Sequence, residues 1–400
     1  MKKKNKKPPV LNEMDRGLSK ITVIVLAIAA VVLLAALYLI YSGDILTGDE
    51  DIFSVYSSDE IVEFEKATVT EISEENLEAD DVADGAYKGE QTLVVTVKSG
   101  RYKNEPMTVK NFIGPLSGVP VSVGDSVTLT IKTHASGEHN ATVYEFNRIP
   151  ILAALRILFF AVVIIIGGRT GLKSLIGLVI TVICLFTVLI PLLLKGAPTI
   201  ITTFIVSAYI ALVSFTILGG VRRKTMSAFL GTISGTFFAM VFGLAAQYFA
   251  KIDGLRLEDA EPLLQLKYVG AATISLKGLL VAGIIISALG AVMDVAMSIS
   301  SSLEEIHAAN PSLSQKDLFR SGMNIGRDMA GTMTNTLILA FLGSEFTLMI
   351  FLYSRGLTFY HLFSTAFVSL ETISGLSASI GLIMAIPLTA LISSIMIKRK

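Results

Sequence analysis

The chain has 400 residues, of which 52% are hydrophobic and 16% charged, with a formal net charge of +0. Soluble proteins carry about 25% charged residues, so this composition excludes a typical soluble enzyme. The balanced charge gives no bulk attraction to nucleic acid, and the single cysteine, Cys184, allows no intrachain disulfide.

In chain order, residues 1–20 form a basic, proline-containing tail. Ile21 to Tyr41 is an apolar run long enough to span a bilayer, for which roughly 20 residues are needed. A cleaved signal would have a shorter apolar region and a small-residue cleavage site. The expectation is an uncleaved anchor over 21–42 with its start in the cytosol.

Residues 43–148 are water-soluble in character. An acidic stretch, GDILTGDEDIFSVYSSDE, precedes the alternating runs EKATVTEI, QTLVVTVKSG, EPMTVKNF, DSVTLTIKTH and NATVYEF. Period-two alternation bounded by Gly, Asp, Asn and Pro predicts strands, with Gly124-Asp125 at a turn between two of them. Five or six strands suit a small barrel of OB type or a small sandwich, and neither names a ligand.

From Ile149 the chain reads as membrane. Apolar runs at about 150–167, 171–194, 199–219, 226–250, 273–298, 330–353 and 374–397 predict seven further spans, eight in all. Basic residues cluster at alternate ends: Arg169/Lys173, Arg222/Arg223/Lys224, Lys316/Arg320/Arg327 and Lys398/Arg399/Lys400 on one side. The other side holds only Lys195, Lys251, Arg256, Lys267 and Arg355 among its few. By the positive-inside rule both termini are cytosolic and residues 43–148 are outside. The expected fold is a polytopic α-helical membrane protein with a small extracytoplasmic all-β domain after its first span.

The polar residues in the spans carry what chemistry there is. No Pro or Gly interrupts Ala291 to Ala309, so the sixth span is expected to continue as a helix into a cytosolic helical loop, 299–328, with a stop at Asn310-Pro311. Asp294, Ser298, Ser301/Ser302 and Glu305 fall on one face by helical spacing. Asn324, Asp328, Thr332 and Asn335 do the same on the next helix, with Arg327 and Thr336 flanking. A carboxylate at the bilayer centre costs about 2.5–3.5 kcal/mol on insertion scales, so it normally faces a partner. Asp294, Arg327 and Asp328 could form a charge cluster that binds or relays a proton or cation. Alternatively they solvate a protruding helix end, or glue helices together.

Glu371 is a second pathway candidate, in an outer interfacial helix expected over Thr358 to Thr372; a plain water-facing role competes with it. Gly231 and Gly235, Gly167/Gly168 and Gly219/Gly220 read as close-packing devices, and Pro387 as a kink. GGRTGLKS lacks the spacing of a phosphate loop, no HExxH occurs, and the acidic stretches lack EF-hand spacing. No histidine lies in a span to activate a serine, so TISG at 372–375 is no protease site. The expectation is a non-enzyme without cofactor or metal.

GAVMDVAMSISSSLEEI (Gly290–Ile306), SGMNIGRDMAGTMTNTLILAFLGS (Ser321–Ser344) and SASIGLIMAIPLTAL (Ser377–Leu391) together resemble the YibE/F family of bacterial multi-pass membrane proteins. That resemblance covers most of the chain from about residue 60 and implies a bacterial cell membrane, but carries no activity. Residues 275–350, with Asp294 on one helix and Arg327, Thr332, Thr334 and Thr336 on the next, also resemble the membrane core of the SecD/SecF branch of RND-type transporters. The chain departs from that pattern in having eight expected spans rather than six, and only one half. The analogy implies proton-responsive transport; taken with the polar stripes and the segment around residue 371, the ion or proton pathway candidates are Asp294, Ser298, Arg327, Asp328, Thr332, Asn335, Thr336 and Glu371. It also implies pairing with a second copy or a related chain in the bilayer. The competing expectation is a non-transporting scaffold whose outer β-domain captures an envelope partner.

Overall fold

The computed structural model describes residues 20–42, 60–134, 139–256, 260–268, 270 and 273–398. The basic tail and the acidic stretch before residue 60 fall outside the described residues. The chain divides into two units, residues 47–165 and residues 1–46 with 166–400.

In the first unit, β1 (Glu60–Ala79), β2 (Tyr87–Val97), β3 (Pro106–Ile113), β4 (Ser126–His134) and β5 (His139–Phe146) close into a barrel in the order β1-β2-β3-β5-β4. The alternation in sequence is the alternation in space: β3 buries Met107, Val109, Asn111 and Ile113 and exposes the residues between them. β1 is long enough to pair on both sides, Ala67 standing opposite Val97 on β2 and Val127 on β4. Of the barrel and the sandwich, the barrel forms. The turn at Gly124-Asp125 precedes β4, but the residues before it are not a strand. They are pinned instead by a buried amide network, in which the Val121 N–H and Asn111 Nδ2 both donate to Gln91 Oε1 at 3.0 Å. Gln91 Nε2 in turn donates to Glu75 Oε2 at 2.7 Å. Buried amides require such partners, and these hold the loop against the barrel.

The second unit is helical. α1 (Lys20–Ser42) lies against α4 (Thr199–Gly219), where Ala29 meets Val213 and Ile217 and the Tyr209 hydroxyl donates to the Ala29 carbonyl at 2.8 Å. α2 (Ile149–Cys184), whose residues up to Ile165 belong to the first unit, runs through a π-helical turn, Leu185–Leu189, into α3 (Ile190–Leu194). The sequence predicts a break near Gly167/Gly168, and Gly168 is indeed non-helical, at φ 54° and ψ −135°, a conformation that glycine alone adopts readily. There follow α5 (Arg223–Ala250), α6 (Ala260–Tyr268), α7 (Leu279–Ala309), α8 (Gln315–Ser344), α9 (Phe346–Ser354), α10 (Phe359–Ser364) and α11 (Ala366–Lys398).

α7 carries the sixth apolar run onward without interruption and ends at Asn310, as the spacing predicts. α8 begins at a capping box in which Ser314 and Asp317 bond each other's backbone N–H groups. The expected helix over 358–372 is instead two, because Thr365 adopts an extended ψ of 138° between α10 and α11. α11 then runs through Pro387.

The centre of this unit is the contact of α5, α7 and α11, which bury Ala239, Val292, Ile299, Leu382 and Ala385. Gly235 and Gly381 let α5 and α11 touch backbone to backbone. A Cβ built on Gly235 would lie 2.9 Å from the Gly381 carbonyl oxygen, and one on Gly381 2.8 Å from that of Gly235. The Gly231/Gly235 pair is thus a packing surface, as its spacing suggests.

Candidate functional site

Five helical stretches among the described residues are long and apolar enough to cross a membrane: Ile149–Leu194, Thr199–Gly219, Arg223–Ala250, Leu276–Ala309 and Ala366–Lys398. A sixth, Gln315–Ser344 with Phe346–Ser354, qualifies only as a pair bent by 62°. Ile21–Ala35, within α1, is a shorter apolar stretch among the described residues.

That bend has an identifiable cause. Gly343-Ser344 closes α8, a combination at which helices commonly kink, and Glu345 sits alone between α8 and α9 at φ −100° and ψ 14°. Its N–H still reaches the Phe341 carbonyl at 3.3 Å, and its carbonyl accepts from the Met349 N–H at 3.0 Å. The chain bends here, and a carboxylate is left at the hinge.

Facing this hinge across a cavity of about 210 Å³ are α10 and the first turns of α11. Phe341, Leu348, Leu352, Phe367 and Leu376 supply apolar walls, and among the described residues the only charged groups lining it are Glu345 and Glu371. The two carboxylates are near enough to repel each other. Both are half-buried, and neither has an ion-pair partner among the described residues. Sequence reasoning named Glu371 but missed Glu345. The signal was present, a lone carboxylate after Gly-Ser between two apolar runs.

The other candidates lie elsewhere. α8 turns Leu318, Gly322 and Gly326 inward, where α7 and α11 fill the notches: Leu303 Cδ1 would be 3.0 Å from a Cβ on Gly322, and Ile299 Cδ1 3.2 Å from one on Gly326. The polar stripe is on the opposite side, so Asn324, Arg327, Asp328, Thr332, Asn335 and Thr336 are all exposed. Asp294 is exposed on α7, and Ser298 is half-buried. No ion pair joins Arg327 to Asp294 or to Asp328 among the described residues. Thr332 and Thr336 return their hydroxyls to their own helix, at the carbonyls of Met329 and Thr332, 3.1 and 2.9 Å away. The expected cluster is therefore two separate stripes on the surface of this unit. An ion pair does tie α7 to α5, from Lys224 on α5 to Glu304 on α7, at 2.9 Å.

A set of buried hydroxyls also went unread. Ser300 and Ser393 bond across α7 and α11 at 2.9 Å, while Thr232, Thr236, Ser379 and Thr389 are buried on α5 and α11 with no hydrogen-bond partner among the described residues. Short hydroxylated residues at a glycine-lined crossing first serve close approach.

These helices define a multi-pass membrane protein. The model of the YibE/F-like protein family matches residues 155–399, more than half of the chain, and the chain belongs to that family. No curated protein and no solved structure matches it.

Proposed function

We propose that this protein is a transport-type component of a bacterial cell membrane, with its binding cleft at the break between α8 and α9. The observation that carries this reading is a broken span whose hinge carboxylate, Glu345, shares an apolar cleft with Glu371. Discontinuous helices are where membrane transporters place their sites, because freed backbone and a hinge side chain can face a cavity without meeting lipid. Asp294, Arg327 and Asp328 act in this reading as cytosol-side groups, and proton coupling through Asp294 belongs to the same proposal.

The topology proposed is eight spans with both termini cytosolic and residues 43–148 outside. Ile149–Leu194 comprises 46 residues, roughly 69 Å if straight, against a hydrocarbon core of about 30 Å, which favours two spans divided at Gly168. The exposed polar stripe on α8 favours pairing with a second copy of the chain, since polar side chains in a span are normally covered.

The competing reading, a scaffold that captures an envelope partner, has one observation in its favour. Phe64 and Tyr144 are exposed on the barrel, 55% and 59%, with ring centroids 5.1 Å apart. Reconstitution in liposomes separates the two. Transport predicts a solute or proton flux that Glu371→Gln and Asp294→Asn each reduce, whereas a scaffold gives the flux of protein-free liposomes.

A further inference from the structure

We propose that the cleft between α8–α9 and α10–α11 binds a small amphipathic organic cation, an aryl- or alkylammonium whose charged end lies between Glu345 and Glu371. This rests on the transport reading for its physiological meaning, though binding itself does not require it.

Three features select that chemistry. Two carboxylates facing one cavity, with no basic partner among the described residues, call for positive charge and exclude an anion. Every other wall but the Thr372 and Gly375 positions is a large apolar side chain, so the ligand must also carry an apolar body. Among the described residues no group of three or more His, Cys, Asp or Glu is placed to hold a metal ion, and a bare ion would leave the apolar volume unfilled.

Size narrows the class. A cavity of about 210 Å³ is somewhat larger than the roughly 150 Å³ that holds benzene, which leaves room for one ring and a short aminoalkyl arm. Phe341 and Phe367 place aromatic rings in the lining, a side-chain type that attracts ammonium groups. Leu342, Met349, Phe363 and Leu376 line the same cavity yet are 45%, 39%, 54% and 51% exposed, so its mouth is itself apolar. A ligand that partitions into the bilayer meets no polar barrier on entering.

The test uses the full-length protein in nanodiscs of phosphatidylcholine and phosphatidylglycerol, titrated with 2-phenylethylammonium and, separately, with neutral 2-phenylethanol. Saturable binding of the ammonium is expected, with the alcohol at least about tenfold weaker, since charge-assisted contacts are the stronger ones. Glu345→Gln and Glu371→Gln are each expected to weaken the ammonium by a similar factor. Leu348→Trp, which keeps both charges and fills the cavity, is expected to abolish binding. If the Gln variants cannot be extracted folded, that variant and the ammonium-alcohol comparison on the unaltered protein carry the test. Equal binding of the two probes, or ammonium binding unchanged by Leu348→Trp, overturns the proposal. So does loss of ammonium binding when phosphatidylethanolamine is added, which would assign the site to a lipid headgroup. Ammonium binding without any flux overturns the transport reading and leaves the site, whereas flux without ammonium binding overturns the site alone.

Discussion

Ser314 and Asp317 show how much a helix start depends on two side chains. The Ser314 hydroxyl, first, and the Ser314 backbone N–H hold the Asp317 carboxyl below the usual carboxylate range. A carboxylate whose folded value lies below its unfolded one, about 3.9, contributes stability above the unfolded value. That contribution is lost as the pH falls through the folded value. Amide exchange in the first turn of α8 is therefore expected to be insensitive to pH from neutrality down to about 5, once intrinsic rates are corrected, and to rise below about 4. Ser314→Ala is expected to give that faster exchange already at neutral pH. A first turn equally protected in both proteins would show that the box does not hold the helix end.

At the scale of elements, the α5–α11 crossing has no slack. A Cβ on Gly235 would lie 2.6 Å from the Ala385 Cβ, 2.8 Å from Val292 Cγ1 and 2.9 Å from the Gly381 carbonyl oxygen. Two of these neighbours are a core side chain and a backbone, neither of which can swing away. Gly235→Ala is expected to destabilise the helical unit by about 1–3 kcal/mol, read as a lowered Tm in detergent. Gly283→Ala, whose added methyl meets nothing within 4 Å, is the control and is expected to leave Tm unchanged.

The strands of the barrel were readable because burial there repeats every second residue, and α7 was readable because nothing between Ala291 and Ala309 could stop it. The polar stripe of α8 was readable too, but not the side it takes. Helical spacing places Asn324, Asp328, Thr332 and Asn335 together without saying whether that face looks inward. Gly322 and Gly326 decide it, because Ile299, Leu303, Ile386 and Ala390 fill the notches they leave. Glu345 escaped for a related reason. A hinge is a property of two helix ends, and the hydropathy of 330–353 reads as a single run.

At the scale of the molecule, the exposed stripe on α8 makes pairing testable. In a Cys184→Ser background, single cysteines at Ser298 and Asn335 are expected to crosslink between copies in native membranes, and one at the buried Leu318 is not. Monomers in nanodiscs together with no crosslink at either position would refute a second copy as the cover. The same background tests the eight-span topology. An impermeant reagent applied to intact cells is expected to label a cysteine at Arg355 and to spare one at Asn310.

The α5–α11 crossing has one more consequence, and it concerns time. The barrel strands all lie between Glu60 and Phe146, so every pairing partner is available soon after β5 is synthesised. α5, by contrast, waits for α11, whose first residue is Ala366. At roughly 5–20 residues per second, more than 100 residues separate them, so the glycine face of α5 stands uncovered for several seconds while the chain is completed. During that interval the Gly231/Gly235 surface is the natural landing place for any other small-residue helix in the same bilayer. A nascent chain arrested just before Ala366 is therefore expected to be captured by membrane quality-control proteases, whereas one released after Lys398 escapes them.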